Sequence, residues 1–349
     1  MDSQTSSRRG DRAIAAWLLA CCALVFAMVV VGGMTRLTHS GLSIVEWQPI
    51  VGAIPPLNDV QWEEAFAKYR ATPEFRLRNH DMALAGFKGI FWWEYFHRLL
   101  GRVIGAVFLV PFVYFLARGR IGRRLAWPLA GIFVLGALQG ALGWYMVKSG
   151  LVDDPRVSSV RLAAHLGLAF LIYAAMLWVA LGLLHVREAG FDPRAKSVTR
   201  ALAGLVFVMV LSGALVAGIR AGYAYNTFPL MNGDWIPPEV LMIEPWWMNF
   251  VHNMATVQLV HRALALAVAL GVAFTWWTVR SRTAAGTRAR RWANALALFA
   301  VIQIAVGIAT LVLRVPLALA ALHQAGALIV FTCAISLAHT VRGVARLQR

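Results

Sequence analysis

Six stretches of this chain carry no charged side chain over a length that crosses a bilayer. They lie between Arg12 and Arg36, Arg124 and Lys148, Arg161 and Arg187, Arg200 and Arg220, Arg291 and Arg314, and Arg314 and Arg342. About 20 consecutive apolar residues span the hydrocarbon core as a helix. Two more spans, 92–117 and 254–279, are interrupted near their starts, the first by Arg98 and Arg102 and the second by Arg262. In lipid a backbone has no water to bond, so a segment of this kind satisfies its own N–H and C=O groups as a helix. The 349 residues are 60% hydrophobic and 14% charged, where a soluble domain is about a quarter charged. The expected fold is an all-α membrane protein of eight transmembrane helices.

The net charge of +17 is a topology signal. The loops on one side, including both termini, hold 19 Lys and Arg against Asp2, Asp11, Glu188 and Asp192; the opposite loops hold 11 basic and 11 acidic residues. A basic excess marks the cytoplasmic or matrix side, so both termini are expected there. No motif accompanies the charge, which argues against a nucleic-acid partner. The 12 residues before the first span are short for an organellar transit peptide, favouring a bacterial inner membrane. Cys21, Cys22 and Cys333 fall in apolar spans without metal-ligand spacing, and read as small buried hydrophobes.

Alternate spans carry a histidine near their outer starts: His97, His165, His261 and His323. The first and third are each followed by arginine, at Arg98 and Arg262, and stand 261 − 97 = 164 residues apart. His165 and His323 stand 323 − 165 = 158 apart. The 164 offset also carries Glu94 onto Gln258, Gln139 onto Gln303 and Gly143 onto Gly307, and the loops echo one another in Ile54-Pro55-Pro56 and Ile236-Pro237-Pro238. Such a repeat predicts two tandem, pseudo-symmetric four-helix bundles, 1–185 and 186–349. Ionisable groups inside a membrane usually mark function. Four histidines at one expected depth, about 6–10 Å below the outer helix ends, suit two bis-imidazole sites, His97 with His165 and His261 with His323. Two imidazoles in apolar surroundings fit a haem iron, whose porphyrin completes the coordination, better than zinc, which takes three or four protein ligands. His39, His80, His185, His252 and His339 lack the symmetry and read as loop or boundary residues, His252 being the one able to approach the His261 face.

The outer segments are expected at 34–90 and 219–252. The first has the pattern of a short amphipathic helix near residues 62–69. Trp235, Trp246 and Trp247 suit an interfacial belt or the edge of a bound macrocycle. Arg98 and Arg262 suit either haem propionates or snorkelling to headgroups. Arg102 has Leu266 as its counterpart in the repeat. Gly136, Gly140 and Gly143 look like a helix-packing face. The asymmetry with most chemical consequence is Glu94, three residues before His97, against Gln258. A carboxylate can accept a proton or hold a transient cation, or pair with Arg98; an amide does neither at neutral pH.

Three segments carry a family resemblance: Gly33-Met34-Thr35-Arg36-Leu37-Thr38 with Ser40-Gly41-Leu42-Ser43; Glu94-Tyr95-Phe96-His97-Arg98; and Asn226-Thr227-Phe228-Pro229-Leu230-Met231. Together they resemble haem A synthase, over nearly the whole chain, in the branch shared by proteobacteria and mitochondria. The resemblance implies oxidation of the C8 methyl of haem O, through a hydroxymethyl stage, to the formyl of haem A. It implies eight helices in two halves, a haem B cofactor on His261 and His323, beside which the residues themselves offer Arg262 as a cofactor-binding group, and substrate on His97 and His165, with Glu94 as a catalytic acid. Haem O synthase and an electron acceptor would be its partners, besides membrane lipid. The outer-loop cysteine pair of another branch is absent here. Two other readings stay open on the residues alone: a di-haem electron-transfer cytochrome such as a quinol oxidoreductase, and a haem transporter or chaperone.

Overall fold

The computed structural model describes residues 2–47, 51–150, 157–184 and 192–342. Eight helices in it are long and apolar enough to cross a membrane. They are α1 (Asp2–Leu37), α4 (Leu84–Ala117), α5 (Arg123–Gly150), α6 (Ser159–Leu184), α7 (Pro193–Gly218), α9 (Met254–Arg282), α10 (Arg288–Val312) and α11 (Leu317–Val341). Two short helices, α2 (Asp59–Arg70) and α3 (Pro73–Arg78), fold the segment between α1 and α4, and one turn, α8 (Asn249–His252), precedes α9. No strand occurs among the described residues. Contacts group the chain into two compact units, residues 23–165, and residues 1–22 with 166–349. The expected boundary at 185/186, with His185, lies outside the described residues.

Helix ends follow side-chain chemistry. Asn58 caps α2 by accepting the Gln61 N–H at 3.0 Å, while Gln61 Oε1 reaches back to the Leu57 N–H at 2.7 Å, a reciprocal pairing of otherwise orphaned donors. Asn253 caps α9 by accepting from Ala255 and Thr256. It also ends α8, leaving His252 exposed on a separate turn.

In the unit 23–165, α4 starts at Leu84, eight residues before the apolar pattern would start it. The reason is aromatic packing. Trp62, Phe66 and Tyr69 share one face of α2, and Phe87, Phe91 and Tyr95 share one face of α4, and the six form one buried cluster. Phe66 and Phe87 centroids lie 5.2 Å apart, and Trp62 and Phe91 4.9 Å. Each such pair adds about 0.5–1.5 kcal/mol beyond its buried area, enough to carry the helix past its lipid-length segment. The predicted amphipathic helix near 62–69 is thus α2. Counted from helix starts, His165, His261 and His323 sit six or seven residues in, whereas His97 sits 97 − 84 = 13 in. Helix α4 therefore carries about two extra outer turns.

In the other unit, α7 and α11 bury apolar faces that include Val206, Val210, Leu328 and Phe331, and Phe331 packs on Phe170 and Phe207. His339 corrects the loop-or-boundary expectation. It is buried within α11 and meets Trp178 edge-on at 4.9 Å, because the helix runs on past it to Val341. The packing expected of Gly136 and Gly140 is also corrected: a Cβ on either meets nothing within 4 Å. Gly143 does pack, against His165.

Candidate functional site

Each of the four histidines lies against a glycine of a neighbouring helix. A Cβ on Gly32 of α1 would stand 2.9 Å from His97 Cε1, and one on Gly143 of α5 3.0 Å from His165 Cε1. On Gly213 of α7 it would stand 3.2 Å from His261 Cε1, and on Gly307 of α10 2.7 Å from His323 Cε1. These approaches are closer than ordinary van der Waals contact, so any larger side chain pushes the imidazole aside. The repeated glutamines act at the same place. Gln139 Nε2 donates to the His165 carbonyl at 3.0 Å and lies 3.3 Å from its Nε2. Gln303 Nε2 donates to the His323 carbonyl at 2.8 Å and lies 3.1 Å from its Nδ1. The Gln and Gly of the sequence repeat, one turn apart, are therefore a cradle for the histidine of the next helix.

His97 and His165 are within electrostatic reach of each other, as are His261 and His323. All four rings are half-buried rather than packed shut. Among the described residues no three His, Cys, Asp or Glu converge on a metal-sized site. His97 Nδ1 and His165 Nδ1 are buried without a hydrogen-bond partner. Two imidazoles set in glycine cradles, with ring nitrogens left over, fit a metal that brings its own equatorial ligands; they do not fit a structural zinc ion.

Beside each couple an (i, i+4) pair fastens an adjoining loop. Glu94 is 2% exposed. Its Oε2 accepts from Ser43 Oγ at 2.7 Å and the Ile44 N–H at 2.8 Å, and its Oε1 accepts from Arg98 Nε at 3.0 Å and Nη2 at 2.7 Å. Arg98 donates further to the carbonyls of Ile44 and Glu46. Gln258, also 2% exposed, accepts from Arg262 Nη2 at 3.0 Å and donates to the Ala221 carbonyl at 2.7 Å. Arg262 donates to the carbonyls of Tyr225, Thr227, Pro229 and Leu230. Neither arginine is a plain snorkel: both spend their terminal nitrogens on loop carbonyls, and Arg262 Nε is left without a hydrogen-bond partner. The Glu94–Arg98 pair thus holds Ser43, Ile44 and Glu46, at the end of one resembling segment, and Arg262 holds Thr227, Pro229 and Leu230 within another.

Sequence reasoning missed Gly32, Gly213 and Ser212. Ser212 Oγ lies 2.8 Å from His261 Nδ1. The signal available was a second repeat on α1 and α7, hidden because its offset is not 164. Trp235, Trp246 and Trp247 are exposed, and His39 and His80 are exposed loop residues.

The profile of the family described as cytochrome oxidase assembly protein matches residues 15–335. The haem A synthase of Nitrosospira multiformis is 58% identical over 339 residues, covering 95% of this chain and 94% of that protein. That of Nitrosomonas eutropha is 55% identical over 327 residues, covering 92% of each. That of Rhodospirillum centenum is 50% identical, covering 96% of this chain and 90% of its own length. With four histidine cradles in eight membrane-length helices and likeness of this extent, the chain belongs to the haem A synthase family of cytochrome oxidase assembly proteins.

Proposed function

We propose that the chain oxidises the C8 methyl of haem O to the formyl of haem A, with substrate on His97 and His165 and a resident haem B on His261 and His323. The two four-helix halves descend from a duplication, 1–185 and 186–349. The protein sits in a bacterial inner membrane with both termini cytoplasmic, as the basic excess of those loops favours. The observation that carries the allocation is one substitution inside a repeated frame. Both halves bury a polar residue three positions before a histidine and bond it to an arginine four positions on, but one has Glu94 and the other Gln258.

Haem B, when bound, supplies one-electron transfer. The remaining work falls to the chain. Glu94 accepts four hydrogen bonds, so it takes up a proton or faces a developing cation by giving up one donor. Ser43 and Ile44 are the exchangeable pair, being on a loop, while Arg98 shares the Glu94 helix and keeps the carboxylate in place. Gln258 cannot take a proton at neutral pH, which suits a half that passes electrons. Arg262 serves the cofactor half by fastening 225–230, with Nε its remaining donor toward a propionate.

The test is co-expression with a haem O source, such as a haem O synthase, followed by pigment extraction. Haem A is expected with the native chain, absent with His97→Ala and strongly reduced with Glu94→Gln. The shared Gln–Gly cradle favours one rival, a cytochrome with two equivalent haems; two stoichiometric haem B per chain and no conversion of haem O would establish that rival instead.

A further inference from the structure

Helix α1 and helix α7 repeat a segment. Phe26, Met28, Val29 and Gly32 recur as Phe207, Met209, Val210 and Gly213, with 213 − 32 = 181. The first outer loop is longer by 181 − 164 = 17 residues, which hides this match from the 164 offset. Spatial neighbours give the registration independently, since Gly32 faces His97 and Gly213 faces His261. Immediately before the glycine the repeat breaks, with Val31 in one helix and Ser212 in the other.

Ser212 is 7% exposed. Its Oγ lies 2.9 Å from the Met209 carbonyl and 2.8 Å from His261 Nδ1. A hydroxyl has one hydrogen and a carbonyl only accepts. When that hydrogen goes to the Met209 carbonyl, Oγ is left to accept from a His261 Nδ1–H. In that arrangement His261 carries its proton on Nδ1 and presents a bare Nε2 lone pair, the tautomer that ligates a metal through Nε2. Val31 offers no acceptor, and His97 Nδ1 is buried with none. The glutamines do not make this distinction, because Gln139 and Gln303 stand in both halves.

An acceptor behind a ligating imidazole fixes its orientation and raises its basicity, and such partners are worth roughly 10–100-fold in metal affinity. We propose that Ser212 is a positioning residue that makes His261 a permanent haem ligand, and that Val31 in the equivalent place leaves His97 an exchangeable one. The inference rests on the reading that His261 and His323 hold the resident haem. A half that stores its haem and a half that releases one each turnover differ in the grip they need, and this pair supplies that difference.

The experiment compares full-length Ser212→Ala, Ser212→Thr, Val31→Ser and His261→Ala in lipid nanodiscs. Haem release to apomyoglobin and the midpoint potential of the bound haem are measured. Ser212→Ala is expected to release haem roughly 10–100-fold faster and to shift the potential upward, since a less basic imidazole stabilises ferric iron less. Ser212→Thr restores the hydroxyl and is expected near the native values. Val31→Ser is expected to slow release of haem from the first couple. A native release rate and potential in Ser212→Ala, in a protein that loses its haem on His261→Ala, overturns the inference alone. If His261→Ala keeps the native haem content, the allocation fails and the inference with it. Should Ser212→Ala not insert, Ser212→Thr and Val31→Ser decide, and unchanged release from the first couple in Val31→Ser overturns the proposal.

Discussion

The two histidine couples share a scaffold and differ in how finished their surroundings are. Ser212 stands at the His261 Nδ1, while Gln139 and Gln303 lie beside the His165 and His323 rings alike. Around His97 and His165 both Nδ1 atoms are buried without partners. The same couple has Glu94 nearby where the other has Gln258. A repeated frame thus carries a hydroxyl behind one histidine, and elsewhere two buried, unpartnered Nδ1 atoms beside an acid. Buried unsatisfied groups in a native protein usually have a functional reason, and a site that binds and releases a substrate is such a reason.

The largest effect expected from breaking this comparison is Glu94→Gln, which gives the first couple the residue of the second. Gln258 keeps its bond to Arg262 at 3.0 Å, so the amide oxygen at 94 should still hold Arg98, while its NH2 gives up the bond from the Ile44 N–H. Haem O conversion should nevertheless fall roughly 100-fold or more, the usual worth of a positioned acid or base. Chain abundance and helical circular dichroism should stay native. Full conversion in that variant would remove the acid from the mechanism.

Next in size is Gly307→Ala. Its Cβ would sit 2.7 Å from His323 Cε1, and overpacking of this kind costs about 1–3 kcal/mol. Faster haem release and an altered Soret band are expected. Gly213→Ala, at 3.2 Å, should show the same change more weakly. Reversal of that order would mean the cradle does not set the ring.

Arg262→Ala strips donors from four loop carbonyls. Loss of a partner is worth about 1–3 kcal/mol for a buried acceptor and less for those here that reach water. Protease cutting within 225–231 should rise while α9 remains protected from hydrogen exchange. An unchanged cutting pattern would show that the loop holds itself.

The smallest effect is expected of Gly136→Ala and Gly140→Ala. Open space surrounds both, and alanine is better than glycine inside a helix by about 0.5–1 kcal/mol. Thermal unfolding should stay level or rise slightly, and haem content should not move. A clear loss of stability would point to a packing partner for this face.

The chain itself determined eight membrane helices, because a bilayer leaves a long uncharged stretch no other way to satisfy its backbone. It determined the four histidines and their spacing as well, since a repeated pattern shows its offset directly in residue numbers. The start of α4 was decided by aromatic contacts with α2, which hydropathy does not register. The destinations of Arg262, Gln139 and Ser212 were also decided in three dimensions. Ser212 and His261 are 49 positions apart, and their meeting depends on how far each helix is rotated about its axis. In lipid both the outward and the inward faces of a helix are apolar, so the hydropathy pattern does not encode that rotation. Side-chain packing sets it instead, through approaches such as those of Gly32 and Gly213 to their histidines.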